Sequence, residues 1–384
     1  MARIIATTIL LLLVTSAARS MAETPEDQAL RLLNHHRELA GLSPAKLDQK
    51  LSAGCMEHAK YMLLNRGTAA VAGLNPHTQR SGLPGASVAG AECGKAADLS
   101  PGNYDLGSAI DGWMATLYHR RPMLEPELER IGVGYARGPD GMVISAMMFA
   151  DITKPTSVGA WPVAYPAKNQ RDVPLAFGGE IPNPIPNEGT GGYPITLQFP
   201  PFDKITRVSA KLTDAKGKPI PFFVSDPEHP ATSFGQYGVI CLIPKLSLQP
   251  QSAYTAQIEA TWNGKTDTWT WSFSTITLRQ VEASDERAVA GAINIASLVH
   301  GAVANGGMLD GGTAFLQLAT GKTDRYKMLS VIIPIAVWRE FAGQATPDSF
   351  RGKIIQVQAT PQLIENKYID LSISTATQLR VVAS

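Results

Sequence analysis

A chain of 384 residues with 44% hydrophobic and 17% charged side chains has ample apolar surface to bury. It exceeds the size at which a single core keeps growing, so two or three domains are expected. The formal net charge of +1 gives no electrostatic case for nucleic acid or for an anionic membrane surface, and partners must be read from local sites.

The chain opens on Met1-Ala2-Arg3, a short apolar run from Ile4 to Val14, and the small-x-small pattern Ser20-Met21-Ala22. This predicts a signal peptide over residues 1–22, cleaved after Ala22, and an exported protein, periplasmic or extracellular, starting near Glu23. The run is too short to span a bilayer, and the expected mature chain has no transmembrane segment. Export permits disulfides. Cys55 and Cys93 fall in one predicted domain, where a bridge and two buried thiols are both open. Cys241, in the strand-like run Val239 to Ile243, reads as a buried free thiol.

From Thr24 onward the pattern is helical. Thr24-Pro25-Glu26-Asp27 has the form of an N-cap, a first-position proline and an acidic first turn,. Leu47, Leu51, Cys55, Ala59 and Met62 then recur at helical spacing. A later apolar stripe of Leu106, Ala109, Ile110, Trp113, Met114 and Leu117 predicts an amphipathic helix that ends on His119-Arg120,. Two strands follow, Ile131 to Ala136 and Met142 to Phe149, joined by Gly138-Pro139-Asp140-Gly141,.

Beyond Asp151 the composition shifts to proline, glycine and β-branched residues. Alternation at Ile195 to Phe199 and Val208 to Leu212, and a hairpin Tyr254–Trp262, Asn263-Gly264, Thr268–Thr275, predict a β-sandwich,. Its closing run Trp271-Ser272-Phe273-Ser274-Thr275 resembles the last strand of bacterial Ig-like modules. Pro155 to Pro166 reads as a semi-rigid linker. From Leu278 to Ser384, five strand-like runs are expected at 293–303, 314–318, 328–333, 354–359 and 368–373. One short helix, Ile335 to Phe341, lies between the third and fourth, an order that resembles an OB-fold barrel,.

The landmarks of residues 23–155, read together, resemble the bacterial branch of the CAP superfamily (cysteine-rich secretory proteins, antigen 5 and pathogenesis-related proteins). They are Asn34 to Leu42, Asn75-Pro76-His77-Thr78, Gly90-Ala91-Glu92-Cys93, and Trp113-x5-His119-Arg120 before Ile131-Gly132-Val133-Gly134. The resemblance covers about a third of the chain and implies an α/β/α sandwich. The resulting expectation is a multidomain α+β protein. It has a CAP domain over 23–155, an Ig-like β-sandwich over 156–276 and an OB-like β-barrel over 277–384.

The resemblance also implies a cleft. His77 matches the first family histidine, Glu92 the glutamate of a Gly-Glu-Asn motif whose Asn is here Cys93, and His119 the second histidine. Thr116 stands where a second glutamate is usual. Two imidazoles and a carboxylate are a donor set for Zn²⁺ or another divalent cation, with His77 and His119 as ligands. Without metal, the carboxylate would fix one imidazole's tautomer. The remaining histidines read as structural (His36, His58), solvated (His35), in a loop (His229) or in a strand (His300).

Other apparent motifs fail. Gly321-Lys322-Thr323 has Leu316 where a phosphate loop needs glycine, so no nucleotide cofactor is expected,. Gly85-Ala86-Ser87-Val88-Ala89 lacks the second glycine of a nucleophile elbow. Gly306-Gly307 and Gly311-Gly312 read as a hairpin connection. The mixed charge and sparse aromatics of 277–384 argue against nucleic acid. Three functions follow from the cleft: binding of a small apolar ligand or cell-envelope component, a metal-assisted hydrolase, or a non-catalytic surface scaffold whose β-domains meet a protein partner.

Overall fold

The computed structural model describes residues 23–103, 105–139, 141–150, 161–293, 295–309, 312–321, 328–364, 367–373 and 376–383. The expected signal peptide, the domain boundary at residue 155 with the first half of the expected linker, Asp140, Gly311, Lys322 and Thr323 lie outside these residues.

The N-terminal domain contains α1 (Pro25–Leu39), β1 (Lys46–Leu47), α2 (Gln49–Leu64), α3 (Val88–Ala96), β2 (Ala97–Asn103), α4 (Leu106–Met114), α5 (Arg120–Met123), β3 (Arg130–Arg137) and β4 (Val143–Ala150). Thr24 caps α1 as its sequence predicts, its hydroxyl accepting from Asp27 N at 3.1 Å,. Asp48 caps α2 through Lys50 N and Leu51 N. The sheet order is β1-β3-β4-β2, with β1 parallel to β3 and the other pairs antiparallel. Helix α2 lies directly on β3 because Gly132 and Gly134 have no side chains to hold it off. A Cβ on Gly134 would fall 2.0 Å from the Cys55 carbonyl carbon. On its other side α2 is tied to α3 by a Cys55–Cys93 disulfide. By loop-closure entropy such a bridge contributes roughly 3 to 4 kcal/mol.

Two expectations of this domain fail. Leu47, read with the α2 stripe, lies in β1 ahead of the Asp48 cap, and the later amphipathic helix is cut short. The apolar stripe buries Leu106, Ala109, Ile110, Trp113 and Met114 as predicted, yet α4 stops at Met114. Leu117 and His119 lie beyond it, and the next helical turn is the separate α5. The cause is tertiary and is described with the site below.

The central region is built of β5 (Val163–Tyr165), β6 (Ile195–Gln198), β7 (Ile205–Asp214), β8 (Phe222–Ser225), β9 (Val239–Pro244), β10 (Ala253–Trp262) and β11 (Lys265–Ser274). They form two antiparallel sheets, β5-β6-β9-β8 and β11-β10-β7, whose inner faces share one core. The second half of the expected linker is therefore strand β5. Asn263-Gly264 makes the predicted two-residue turn, both residues at positive φ (49° and 88°),. Cys241 is a buried free thiol in β9, pushed up to about 12 by burial.

The same core continues into the N-terminal domain. Trp113, Met114, Met123 and Phe149 belong to one cluster with Tyr165, Tyr193, Ile195 and Phe199. Arg120 pins the two together. Its fully buried guanidinium donates to Met114 O and Pro194 O (2.7 Å each). It also lies 4.7–5.0 Å from the ring centres of Tyr193 and Tyr165,.

The C-terminal region has β12 (Arg279–Glu282), α6 (Glu286–Ala290), β13 (Ser297–Leu309), β14 (Thr313–Leu318), β15 (Met328–Pro334), α7 (Ile335–Ala342), β16 (Ile354–Ala359), β17 (Gln362–Ile364), β18 (Tyr368–Ser372) and β19 (Leu379–Ala383). It encloses a core of its own, from Val281 to Leu379. The sheet order is β17-β18-β15-β14-β13-β16-β19, with β12 added to β13. The helix sits in the predicted slot. The expected closed barrel does not form among the described residues, because β18 is paired on its second edge by β17 and β16 by β19. Those are the edges whose pairing would close it. Gly306-Gly307, expected in a hairpin connection, lies inside β13.

Candidate functional site

The break after α4 creates the site. In a continuing helix Leu117 N and Tyr118 N would donate to Trp113 O and Met114 O. Instead they donate to the two oxygens of Glu180, at 2.7 and 2.9 Å. The released carbonyls are taken by other donors. Trp113 O accepts from Thr116 Oγ1 (2.6 Å), Met114 O from Arg120 Nε and Tyr193 OH (2.7 and 3.0 Å), and Ala115 O from Gly178 N (2.8 Å). The freed carbonyls of Trp113, Met114 and Ala115 and the amides of Leu117 and Tyr118 all have new partners, most from the central region,.

His119 follows the break. Its Nδ1 donates to Glu180 Oε2 at 3.1 Å, with the His119 side chain 17% exposed and the Glu180 side chain fully buried. Burial alone would lower the pKa of His119. The Glu180 hydrogen bond and the charges of Asp98 and Glu180 outweigh it and the pKa is raised,. Asp98, on β2, is buried with Oδ2 making no hydrogen bond. Desolvation pushes it up to about 8, with His119 and Arg121 opposing and Glu180 adding.

His77 lines the same cavity as His119, from a single helical turn at 75–77. Its Nδ1 donates to Gly94 O at 2.8 Å, and burial, with the His119 charge, lowers its pKa despite the Gly94 carbonyl. Behind it His58, expected to be structural, is fully buried. Gln79 Nε2 donates to its Nδ1 at 2.9 Å, Nε2 makes no hydrogen bond, and burial takes the ring down to about 4.

His77 and His119 line one cavity of about 390 Å³. Its walls are mostly apolar, including Met62, Leu74, Leu99, Trp113 and Ile181, and the segment Gly178-Gly179-Glu180-Ile181 of the central region covers one side. Of the other expected cleft residues, Thr116 is buried beside His119, its Oγ1 3.5 Å from Nδ1. Glu92 does not line the cavity. Its side chain is 63% exposed and accepts from Lys95 Nζ at 2.8 Å, because its place on α3 turns it outward, away from the buried Cys93.

The donor set for a metal is incomplete. Zn²⁺ takes at least three protein ligands in a tetrahedral site. Both Glu180 oxygens are committed to Leu117, Tyr118 and His119, and no group of three or more His, Cys, Asp and Glu side chains among the described residues is arranged to hold an ion. The cavity's residues do not fit the expected metal.

The sequence missed Asp98 and Glu180. Asp98 carries no local signal within Ala97–Asn103. Glu180 lies 61 positions from His119 in a loop that reads only as an inter-strand connection, its one hint being an acid after two glycines.

Residues 30–149 match the model of CAP, the cysteine-rich secretory protein family, which supports the CAP resemblance of the N-terminal domain. No curated protein matches the chain. Among solved structures, the chain is similar to the crystal structure of CopC from Methylosinus trichosporium OB3b. The identity is 12% over 29% of this chain and 88% of that one, with a TM-score of 0.21. A likeness at that level carries nothing further for this chain. No helix among the described residues is long and apolar enough to cross a membrane.

Proposed function

We propose that the protein is an exported CAP-domain protein that binds a small amphipathic ligand, a free molecule or an envelope component, in the cavity between His77 and His119. The carrying observation is the pairing of a mainly apolar cavity with two imidazoles whose proton affinities are driven apart, His119 up and His77 down. Relative to a free imidazole, the shifts bias His119 toward its charged, donating form and His77 toward its neutral form,. A few convergent polar groups in an apolar cavity are the usual composition of a small-molecule site. Export is supported by the leader-like start and by the Cys55–Cys93 bridge, which persists in oxidising compartments,. The central sheets are read as Ig-like, carrying the segment that covers one side of the site, and the C-terminal sheet as an opened relative of the OB-fold.

The test is a fluorescence titration of anilinonaphthalene sulfonate, an amphipathic anion, into the full chain and into Leu74→Glu. Leu74 lines the cavity and is 43% exposed, so a charged side chain there is expected to be tolerated by the fold, while its carboxylate repels the sulfonate. Saturable binding weakened about tenfold or more by the variant, roughly 1.4 kcal/mol, is expected. Absence of saturable binding, or binding indifferent to Leu74→Glu, overturns the reading.

A further inference from the structure

The carboxylate hydrogen-bonded to His119 does not come from the CAP-matched segment. On that segment Thr116 stands 3.5 Å from Nδ1, its hydroxyl spent on Trp113 O, and Glu92 faces solvent. Glu180 comes instead from the central region. It is a built contact: a fully buried carboxylate with three donors, two of them backbone amides freed by the break in α4,. The strand of chain that delivers it is fitted by its glycines. A Cβ on Gly178 would lie 2.9 Å from Gly112 O, and Gly179 has φ +79°,.

We propose that Glu180 is the positioning residue of the cleft, a carboxylate lent by the second domain. It holds His119 with the proton on Nδ1 and leaves Nε2 to meet the ligand, so the site is a composite that the CAP segment does not complete alone. Among the described residues Nε2 makes no hydrogen bond, and it is the nitrogen remaining for the cavity that His119 lines. The arrangement also accounts for Thr116: with Glu180 in place, a second acid there would set two carboxylates against one imidazole. The inference deepens the ligand-site reading and rests on it for what the cleft is for, while the His119–Glu180 relation is tested without any ligand.

The experiment is an NMR titration of the His119 ring nitrogens in the full chain and in Glu180→Gln, with near-ultraviolet circular dichroism to check folding. In the parent, Nδ1 is expected to carry the proton in the neutral ring, with a midpoint above the free-imidazole value of about 6.5. Glu180→Gln is expected to lower the midpoint by about one unit or more and to admit the Nε2–H tautomer. A purely structural cap on Leu117 and Tyr118 would leave tautomer and midpoint unmoved, and that result in a folded variant overturns the proposal. If the variant fails to fold, the parent decides: an Nε2–H ring titrating at or below the free value overturns it, and an Nδ1–H ring titrating above it, with the Glu180 carboxyl carbon shifting at the same midpoint, sustains it. Loss of the His119 shift while the fluorescent anion still binds defeats Glu180 alone. A preserved shift with no anion bound defeats the ligand reading alone.

Discussion

At Asp98 burial, not charge pairing, sets the protonation state. With its pKa pushed up to about 8, the folded protein holds a proton there between about pH 4 and 8 that the unfolded chain, near 3.9, has released. The folded state binds more protons across that window, so this group's contribution to stability falls as pH rises through it. Glu125, pushed up to about 7 by burial, has the same sign. His58 has the opposite one. Depressed to about 4, it is neutral in the fold where the unfolded ring is charged, and stability is lost as pH falls from about 6.5 to 4. Asp98→Asn, isosteric with the protonated acid, is expected to flatten the decline between pH 5 and 8.5 in urea unfolding, leaving remainders from Glu125 and from His119, whose raised pKa has the same sign,. A variant whose decline matches the parent's would show that Asp98 ionises at its ordinary pKa. His77 and His119 were legible because the resemblance marks them by local context. Asp98 was not, since an acid's burial is a property of what packs over it.

At the scale of elements, the α2–β3 contact is the tightest in the N-terminal domain. Gly134→Ala must move the helix, since its Cβ would overlap the backbone of Cys55 and Met56. The disulfide and the Gly54–Ala89 approach fix α2 from the other side. A loss of about 3 kcal/mol in chemical denaturation is expected, and a change below about 0.5 kcal/mol, the usual size at an unremarkable surface site, would mean the helix has room to shift. Helix α4 shows the limit of reading elements from periodicity. Its stripe through Leu117 is genuine, and Leu117 is buried, but in a different cluster, with Ile185, Val239 and Cys241. Periodicity tells which side chains are apolar and leaves open which core receives each. The C-terminal sheet repeats this: the runs and the helix slot were visible, whereas the added strands β17 and β19, which occupy the closing edges, were too short or too near the chain end to carry a pattern.

For the whole molecule, the first two regions stand or fall together. Arg120 is buried with carbonyl, hydroxyl and aromatic partners drawn from both. Arg120→Ala takes the donor from Pro194 O, leaves Met114 O to Tyr193 OH and opens a gap at the seam, an expected loss of about 3 kcal/mol. Differential scanning calorimetry should then separate the N-terminal and central unfolding transitions, while the parent shows them merged. A single unshifted transition in the variant would mean that the shared apolar core couples them without the arginine. The sequence by itself determined what is local: the N-cap of α1, the Asn263-Gly264 turn, the change from helical to strand periodicity and the apolar run that carries Cys241. Each is specified by neighbours within a few positions, whereas the pairing of His77 with His119 was an implication of the family resemblance. Only the tertiary structure decided that α4 ends at Met114, that Glu92 faces water and that Glu180 meets His119. The physical reason is competition: a backbone amide takes the best acceptor within reach, and at Leu117 and Tyr118 that acceptor is a carboxylate delivered from another domain.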